Sequence, residues 1–228
     1  MNLPPQRGKF ITFEGLDGSG KSTQLEKLAS ALRMLGIATE STREPGGTVI
    51  GEHIRALLLD SRTRGLAAHA EMALMMASRA QLTAEVILPA LRIGQWVLCD
   101  RYVDSTEAYQ GAGRQLGSEP VLQLHRLLCR DLWPDLTIFM DSDVSASVNR
   151  ARLRNRASAG QDENRFEQEN RAFFHRVREG YLEIARREPQ RVVLIDARPA
   201  IPVVQQEIMA AVRERLGLKS STRTAVQE

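Results

Sequence analysis

Five short apolar runs, KFITF (9–13), IATEST (37–42), WVLC (96–99), LTIFM (136–140) and VVLI (192–195), alternate with long stretches of helical periodicity. Runs this short fit strands covered on both faces, and parallel strands need helical crossovers between them. The helical pattern occupies about 20–35, 48–59, 66–92, 119–131, 144–155, 164–187 and 201–216. An α/β fold follows, a parallel sheet with helices on both sides. At 228 residues and 43% hydrophobic, the chain is long enough for one domain with a large core. The core of that domain is expected over about 9–216 of residues 1–228.

Between the first strand and the first helix lies FEGLDGSGKST (13–23), in which Gly15-Leu16-Asp17-Gly18-Ser19-Gly20-Lys21-Ser22 matches G-x-x-x-x-G-K-[ST]. Glycines let successive backbone N–H groups turn toward one anion, and the N-terminus of the following helix adds partial positive charge. The loop, through Thr23, is expected to hold the phosphates of a nucleotide. Lys21, on a solvent-facing loop, is expected to reach the β- and γ-phosphates, and the Ser22 hydroxyl to ligate Mg²⁺. A second cluster closes the third strand: Cys99-Asp100-Arg101-Tyr102 sets an acid and an arginine at a strand's carboxyl end, where open α/β sheets bind ligands. There Asp100 is placed to hold Mg²⁺ and Arg101 a phosphate.

The helix opening near Val144 runs through Arg150, Arg152, Arg154 and Arg156 into NRASAGQDEN (155–164), a polar stretch that reads as a mobile flap. Alternate arginines cannot share one helical face. A nucleic-acid patch usually carries lysines and interleaved aromatics, which are missing here. Arginines on a closable flap instead suit the charge on a transferred phosphoryl group. No carboxylate or histidine stands out as a general base. An acceptor that is itself a phosphate monoester, with a second pKa near 6, needs none at neutral pH. Lys21, Arg101 and the flap arginines then serve as charge balance against the phosphates.

The net charge is only +3 and its positive part is nearly all arginine, a residue suited to bidentate contact with phosphate. Cys99 and Cys129 have no framework or metal spacing and read as reduced core thiols. The N-terminus lacks a signal-peptide stretch, and no apolar run approaches the roughly 18 residues of a membrane span. A cytoplasmic protein is expected, with neither membrane nor nucleic acid as partner. Residues 217–228 read as a disordered tail.

FEGLDGSGKST, REPGGT (43–48), IRALLLD (54–60), ASRAQL (77–82), CDRYVDSTEAYQGAGR (99–114), PDLTIFMD (134–141) and the RARLR flap together resemble the bacterial thymidylate kinases, from about Lys9 to Leu216. The resemblance implies a P-loop kinase fold with a five-stranded parallel sheet and an arginine-bearing lid at about 150–165. It also implies a homodimer and transfer of the ATP γ-phosphate to dTMP, with Mg²⁺ as cofactor. Asp17 is expected at the sugar 3′-hydroxyl and acceptor phosphate, with Arg43, Arg55 and Arg101 lining the phosphate site and Pro45 beside it. Arg79 is expected on a thymine carbonyl, Thr106 and Gln110 at the ring edge, and Tyr109 against the sugar 2′ position. Lys21, Arg101, Arg152 and Arg154 are the expected catalytic residues, with Arg150 on the ATP side. Gly18 stands where one class of the family has a catalytic arginine, so this chain resembles the class that supplies arginines from the lid.

One position departs from the family pattern. Met75 stands where a phenylalanine stacks on the thymine. A thioether lying against the base is one reading; Met75 and Met76 packed in the core, with another side chain over the base, is the other. Two other activities use similar parts. A kinase of another nucleoside monophosphate would use the same loop and lid. A nucleotide-dependent switch would share the loop, although the N-K-x-D guanine motif is missing.

Overall fold

The computed structural model describes residues 7–63, 65–157 and 165–218, excluding the side chains of 154–157 and 167. Residues 158–164 of the expected lid and 219–228 of the expected tail lie outside the described residues. Strands β1 (Phe10–Glu14), β2 (Thr39–Arg43), β3 (Trp96–Asp100), β4 (Leu136–Asp141) and β5 (Val192–Asp196) form one sheet in the order β2-β3-β1-β4-β5. Every pairing is parallel. The crossovers are α1 (Lys21–Met34), α2 (Val49–Leu59), α3 (Ala68–Leu82), α4 (Leu88–Arg92), α5 (Val103–Thr106), α6 (Ser118–Leu128), α7 (Val144–Ala157) and α8 (Arg171–Arg187), and α9 (Ile201–Leu216) follows the last strand.

Side-chain alternation along the central strand divides the core. Ile11 and Phe13 of β1 face Leu25, Leu28 and Leu32 of α1 and Val204, Ile208 and Val212 of α9. Phe10 faces the other way, against Met72 and Met76 of α3 and Val121 of α6. Beyond β4 on that second side, Phe139 packs with Phe173, Val177 and Tyr181 of α8. β1 is buried along its whole length, so its run is mostly apolar and its two polar side chains are bonded inside the fold, Thr12 to Thr137 and Glu14 to Ser105 and Tyr181.

Three expectations need correction. The stretch 66–92 is not one regular helix: a π-helical turn at Thr83–Ile87 separates α3 from α4. Pro89 explains it, because proline has no N–H to give the carbonyl one turn back and its ring crowds that carbonyl. The helix expected from residue 164 begins at Arg171, where the Asn170 side chain accepts a hydrogen bond from Phe173 N–H at 2.9 Å. A single 3-10 turn, Phe166–Gln168, stands before it. Finally, residues 103–113 are helical, α5 running into a π-helical turn at Glu107–Gly113. Their sequence shows no apolar stripe because nearly every residue there is buried, polar ones included. Gly113 is required by close approach: a Cβ there would meet Phe173 Cε2 at 2.7 Å.

Candidate active site

β1 delivers the glycine loop directly onto α1. Gly20 precedes the helix at φ 96°, and no side chain caps it, so the first amides of α1 keep their capacity for an anion. Ser22 and Thr23 lie at the exposed start of that helix. Gly18 has φ 79°, and a Cβ on it would come within 2.3 Å of the Ser147 carbonyl on α7. No side chain fits at residue 18 while α7 sits there. The loop therefore has no room for an arginine of its own, and Arg150 of α7 approaches it instead.

Lys21 is buried, contrary to the solvent-facing position expected of it: 5% of its side chain is exposed. Its Nζ donates to the Leu16 carbonyl at 3.0 Å and lies 3.9 Å from Asp17 Oδ1. Burial, followed by the Arg101 charge, pulls the ammonium below its ordinary pKa, against Asp100, Asp17 and Glu14. Beside the loop, Ser22 Oγ donates to Asp100 Oδ2 at 2.7 Å.

Arg101 leaves β3 in the left-handed region, φ 74°, which turns its side chain back across the strand ends. Nη1 donates to Ser105 Oγ (2.9 Å) and Tyr181 OH (3.2 Å). Nη2 donates to Asp17 Oδ1 (2.8 Å) and Tyr109 OH (3.2 Å). Behind Ser105 and Tyr181 sits Glu14, which accepts from both hydroxyls and from Tyr102 N–H. Burial, then Asp104, pushes the Glu14 carboxyl up to about 8, opposed by Ser105, Arg101 and Tyr102.

A cavity opens beyond Asp17. Arg55, Met75, Arg79, Arg101, Thr106 and Gln110 line it, together with Pro45 and Tyr109. Arg79 is almost wholly buried. Its Nε donates to Glu44 Oε2 (2.8 Å), its Nη2 to Tyr102 O (3.0 Å) and Thr106 Oγ1 (2.8 Å), and its Nη1 to Met76 Sδ (3.3 Å). Burial drives Glu44 up to about 7 against the pull of this guanidinium. Arg55 Nη1 donates to the Pro45 carbonyl at 3.0 Å.

With this geometry in place, comparison with known proteins decides the family. The thymidylate kinase family model matches residues 13–208. Thymidylate kinase of Pelobacter propionicus is 46% identical over 205 residues, 90% of this chain and 94% of that protein. Thymidylate kinase of Desulfovibrio desulfuricans is 50% identical over 200 residues, 86% and 92% of the two chains. The crystal structure of thymidylate kinase from Ehrlichia chaffeensis superposes with a TM-score of 0.71 at 33% identity, covering 90% of this chain and 99% of that one. This chain belongs to the thymidylate kinase family. It is accordingly a phosphotransferase, with the nucleotide-kinase fold of its relatives.

Not every expected residue of this kinase reaches the cavity. Arg43, at the end of β2, is exposed and bound to both oxygens of Glu52 on α2, at 3.0 and 3.1 Å. Arg150 lies against the glycine loop, its Nε donating to the Gly18 carbonyl at 2.7 Å. Arg152 is exposed on α7, and the Arg154 side chain falls outside the described residues. The methionine pair divides: Met76 is fully buried in the core, whereas Met75 is half-buried on the cavity wall. A quarter-turn of helix separates them. Phe166 and Leu59 also line the cavity, and neither was expected there. The Phe166 ring meets Tyr109 edge-on at 5.7 Å and lies 4.4 Å under the Arg165 guanidinium. Its only signal in the sequence is a lone aromatic in NRFEQEN, which passes for an ordinary core position when 164–187 is taken as one helix.

Proposed function

We propose that this kinase transfers the γ-phosphate of ATP to dTMP, giving ADP and dTDP. One observation carries the reading: Asp17 is shared between the phosphate loop and the cavity, 3.9 Å from Lys21 Nζ and 2.8 Å from Arg101 Nη2. A donor phosphate on the loop and an acceptor phosphate at Arg101 are then neighbours, which is the positioning that in-line transfer requires. Lys21 and Arg101 stabilise charge on the two phosphates, with the lid arginines closing over the transferred group. The acceptor oxygen is largely ionised at pH 7, so no side chain has to remove a proton.

Met75, Leu59 and Phe166 give the base an apolar wall, Arg79, Thr106 and Gln110 meet its polar edge, and Tyr109 closes the sugar 2′ side. Ser22 and Asp100 are the residues that would hold Mg²⁺, a pair of hard oxygens 2.7 Å apart beside the loop. They fit that ion, which takes few protein ligands and keeps waters and phosphate oxygens. When bound, the metal neutralises phosphate charge and orients the donor. Among the described residues no group of three or more His, Cys, Asp or Glu is arranged to hold a metal. A second copy of the chain would cover Val49, Ile50 and Leu57, exposed along one side of α2. Among the described residues no helix is long and apolar enough to cross a membrane.

A coupled ADP-release assay with dTMP, dUMP, dCMP, dGMP and AMP tests the reaction. Fastest release with dTMP is expected. Equal release with all acceptors would mean a simple ATPase, and preference for another monophosphate would reassign the substrate.

Met75 provides a finer test. On the cavity wall, Met75→Phe adds an aromatic platform worth about 0.5 to 1.5 kcal/mol. KM for dTMP should fall by a factor of about 2 to 10, with the ATP parameters little changed. Unchanged KM together with a lowered melting temperature would mark the site as overpacked core, for which a cost of about 1 to 3 kcal/mol is typical.

A further inference from the structure

Glu71, on α3, is wholly buried, yet the phosphate chemistry makes no use of it. Both of its oxygens are saturated. Oε1 accepts from Gln110 Nε2 (2.8 Å) and Arg114 Nε (3.1 Å); Oε2 accepts from Arg114 Nη2 (3.1 Å) and Arg165 Nη1 (2.7 Å). These fill the roughly four lone-pair sites that a carboxylate offers. Burial by itself would raise its pKa, but hydrogen bonds from Arg114 and Gln110 and the Arg114 charge outweigh it and hold the carboxyl below its ordinary value. Glu71 is thus ionised, and an ionised carboxylate can only accept.

That restriction fixes a neighbour. A glutamine amide turned by 180° exchanges a donor for an acceptor at nearly the same position. Against Glu71 only the nitrogen is tolerated, because a carbonyl oxygen there would be repelled. The carbonyl oxygen of Gln110 has no donor among the described residues, and Gln110 lines the cavity. Beside it stands Arg79, with its Nε and Nη2 hydrogens taken by oxygens and one Nη1 hydrogen spent on a thioether. Of about five guanidinium donors this leaves one for the cavity.

We propose that Glu71 is a positioning residue for base selectivity: by holding the Gln110 amide it presents a fixed acceptor next to the Arg79 donor. That pair complements a pyrimidine with a ring N–H beside a carbonyl oxygen, as in thymine or uracil. Cytosine presents the reverse, an unprotonated ring nitrogen beside an amino group. It would leave polar groups unpaired on both sides of a buried contact, and sites built on hydrogen bonds reject such mismatches by on the order of 10⁴. The inference rests on dTMP being the acceptor.

The test compares kcat/KM for dTMP and dCMP in wild type, Glu71→Gln, Gln110→Leu, the double variant and Arg114→Met. Glu71→Gln lets the facing amide turn over, so the dTMP-to-dCMP ratio should fall at least about tenfold, chiefly through KM. Gln110→Leu should lower it similarly, and the double variant should lower it no further, since Glu71 acts through Gln110. Arg114→Met keeps its stem against Phe173, 4.7 Å from the guanidinium, and leaves Gln110 on Glu71. It should lower both substrates alike and hold the ratio. An unchanged ratio in Gln110→Leu, additive effects in the double variant, or an equal loss of ratio in Arg114→Met would each overturn the proposal. A wild type that phosphorylates dTMP and rejects dCMP, with Glu71→Gln equally selective, would overturn it alone. A wild type inactive on dTMP would overturn the assigned reaction with it.

Discussion

Lys21→Ala lowers turnover by roughly 10²–10³-fold, the usual cost of deleting one preorganised charge from a transition-state site. The variant should stay folded. Among the described residues Nζ makes one hydrogen bond, to Leu16 O, and removing a buried ammonium also removes its desolvation cost. A melting temperature within a few degrees of wild type is expected, because 1 kcal/mol corresponds to about 2–4 °C at this length. The loss should appear in kcat more than in KM for dTMP, since Lys21 belongs to the phosphate loop and does not line the acceptor cavity. A variant with native circular dichroism and more than about a tenth of wild-type turnover would remove Lys21 from the transfer step.

The arginines of α7 supply the second large effect. Alanine at Arg152 or Arg154 is expected to lower kcat by about a thousandfold, with KM for dTMP changing far less, if these side chains engage the transferring group on closure as proposed. Arg150 provides an internal contrast. It is already docked on the Gly18 carbonyl and on Ser147 Oγ, so Arg150→Ala should act mainly on KM for ATP by loosening the loop. Steady-state kinetics with each substrate varied in turn separates the two. If Arg152→Ala and Arg154→Ala both shifted only KM for ATP, the lid would be a nucleotide clamp and the transition-state charge would rest on Lys21 and Arg101 alone.

The loop, the strand ends and the sheet were legible because each is written locally. Gly15 to Ser22 carries its own chemistry in eight consecutive residues, and Asp100-Arg101 follows an apolar run that can only be a buried strand. Buried strands on both sides of β1 force parallel crossovers, so the layers followed as well. The site's walls were harder to see. Residues 103–113 are buried on all sides, so no amphipathic period marks them as helix. Phe166 reaches the cavity only because Asn170 starts α8 late and leaves a 3-10 turn before it.

Adjacent residues show the division most clearly. Met75 and Met76 are identical in type, and helix α3 is apolar on more than one face, so periodicity does not say which methionine meets a ligand. Packing against Phe10 and Val97 on the sheet buries Met76 and turns Met75 to the cavity. Gly18 likewise could have been any flexible turn; only the approach of Ser147 O to 2.3 Å from a would-be Cβ shows that the position excludes a side chain. Glu71 and Gln110 are 39 residues apart. Their contact exists because α3 and the π-helical turn after α5 pack on the same side of the sheet. The sequence by itself determined the phosphate loop, the strand ends and the reaction class, since these depend on short-range order along the chain. Tertiary structure alone decided which side chains line the cavity and how their donors and acceptors are turned, because those follow from contacts between distant segments that no local pattern encodes.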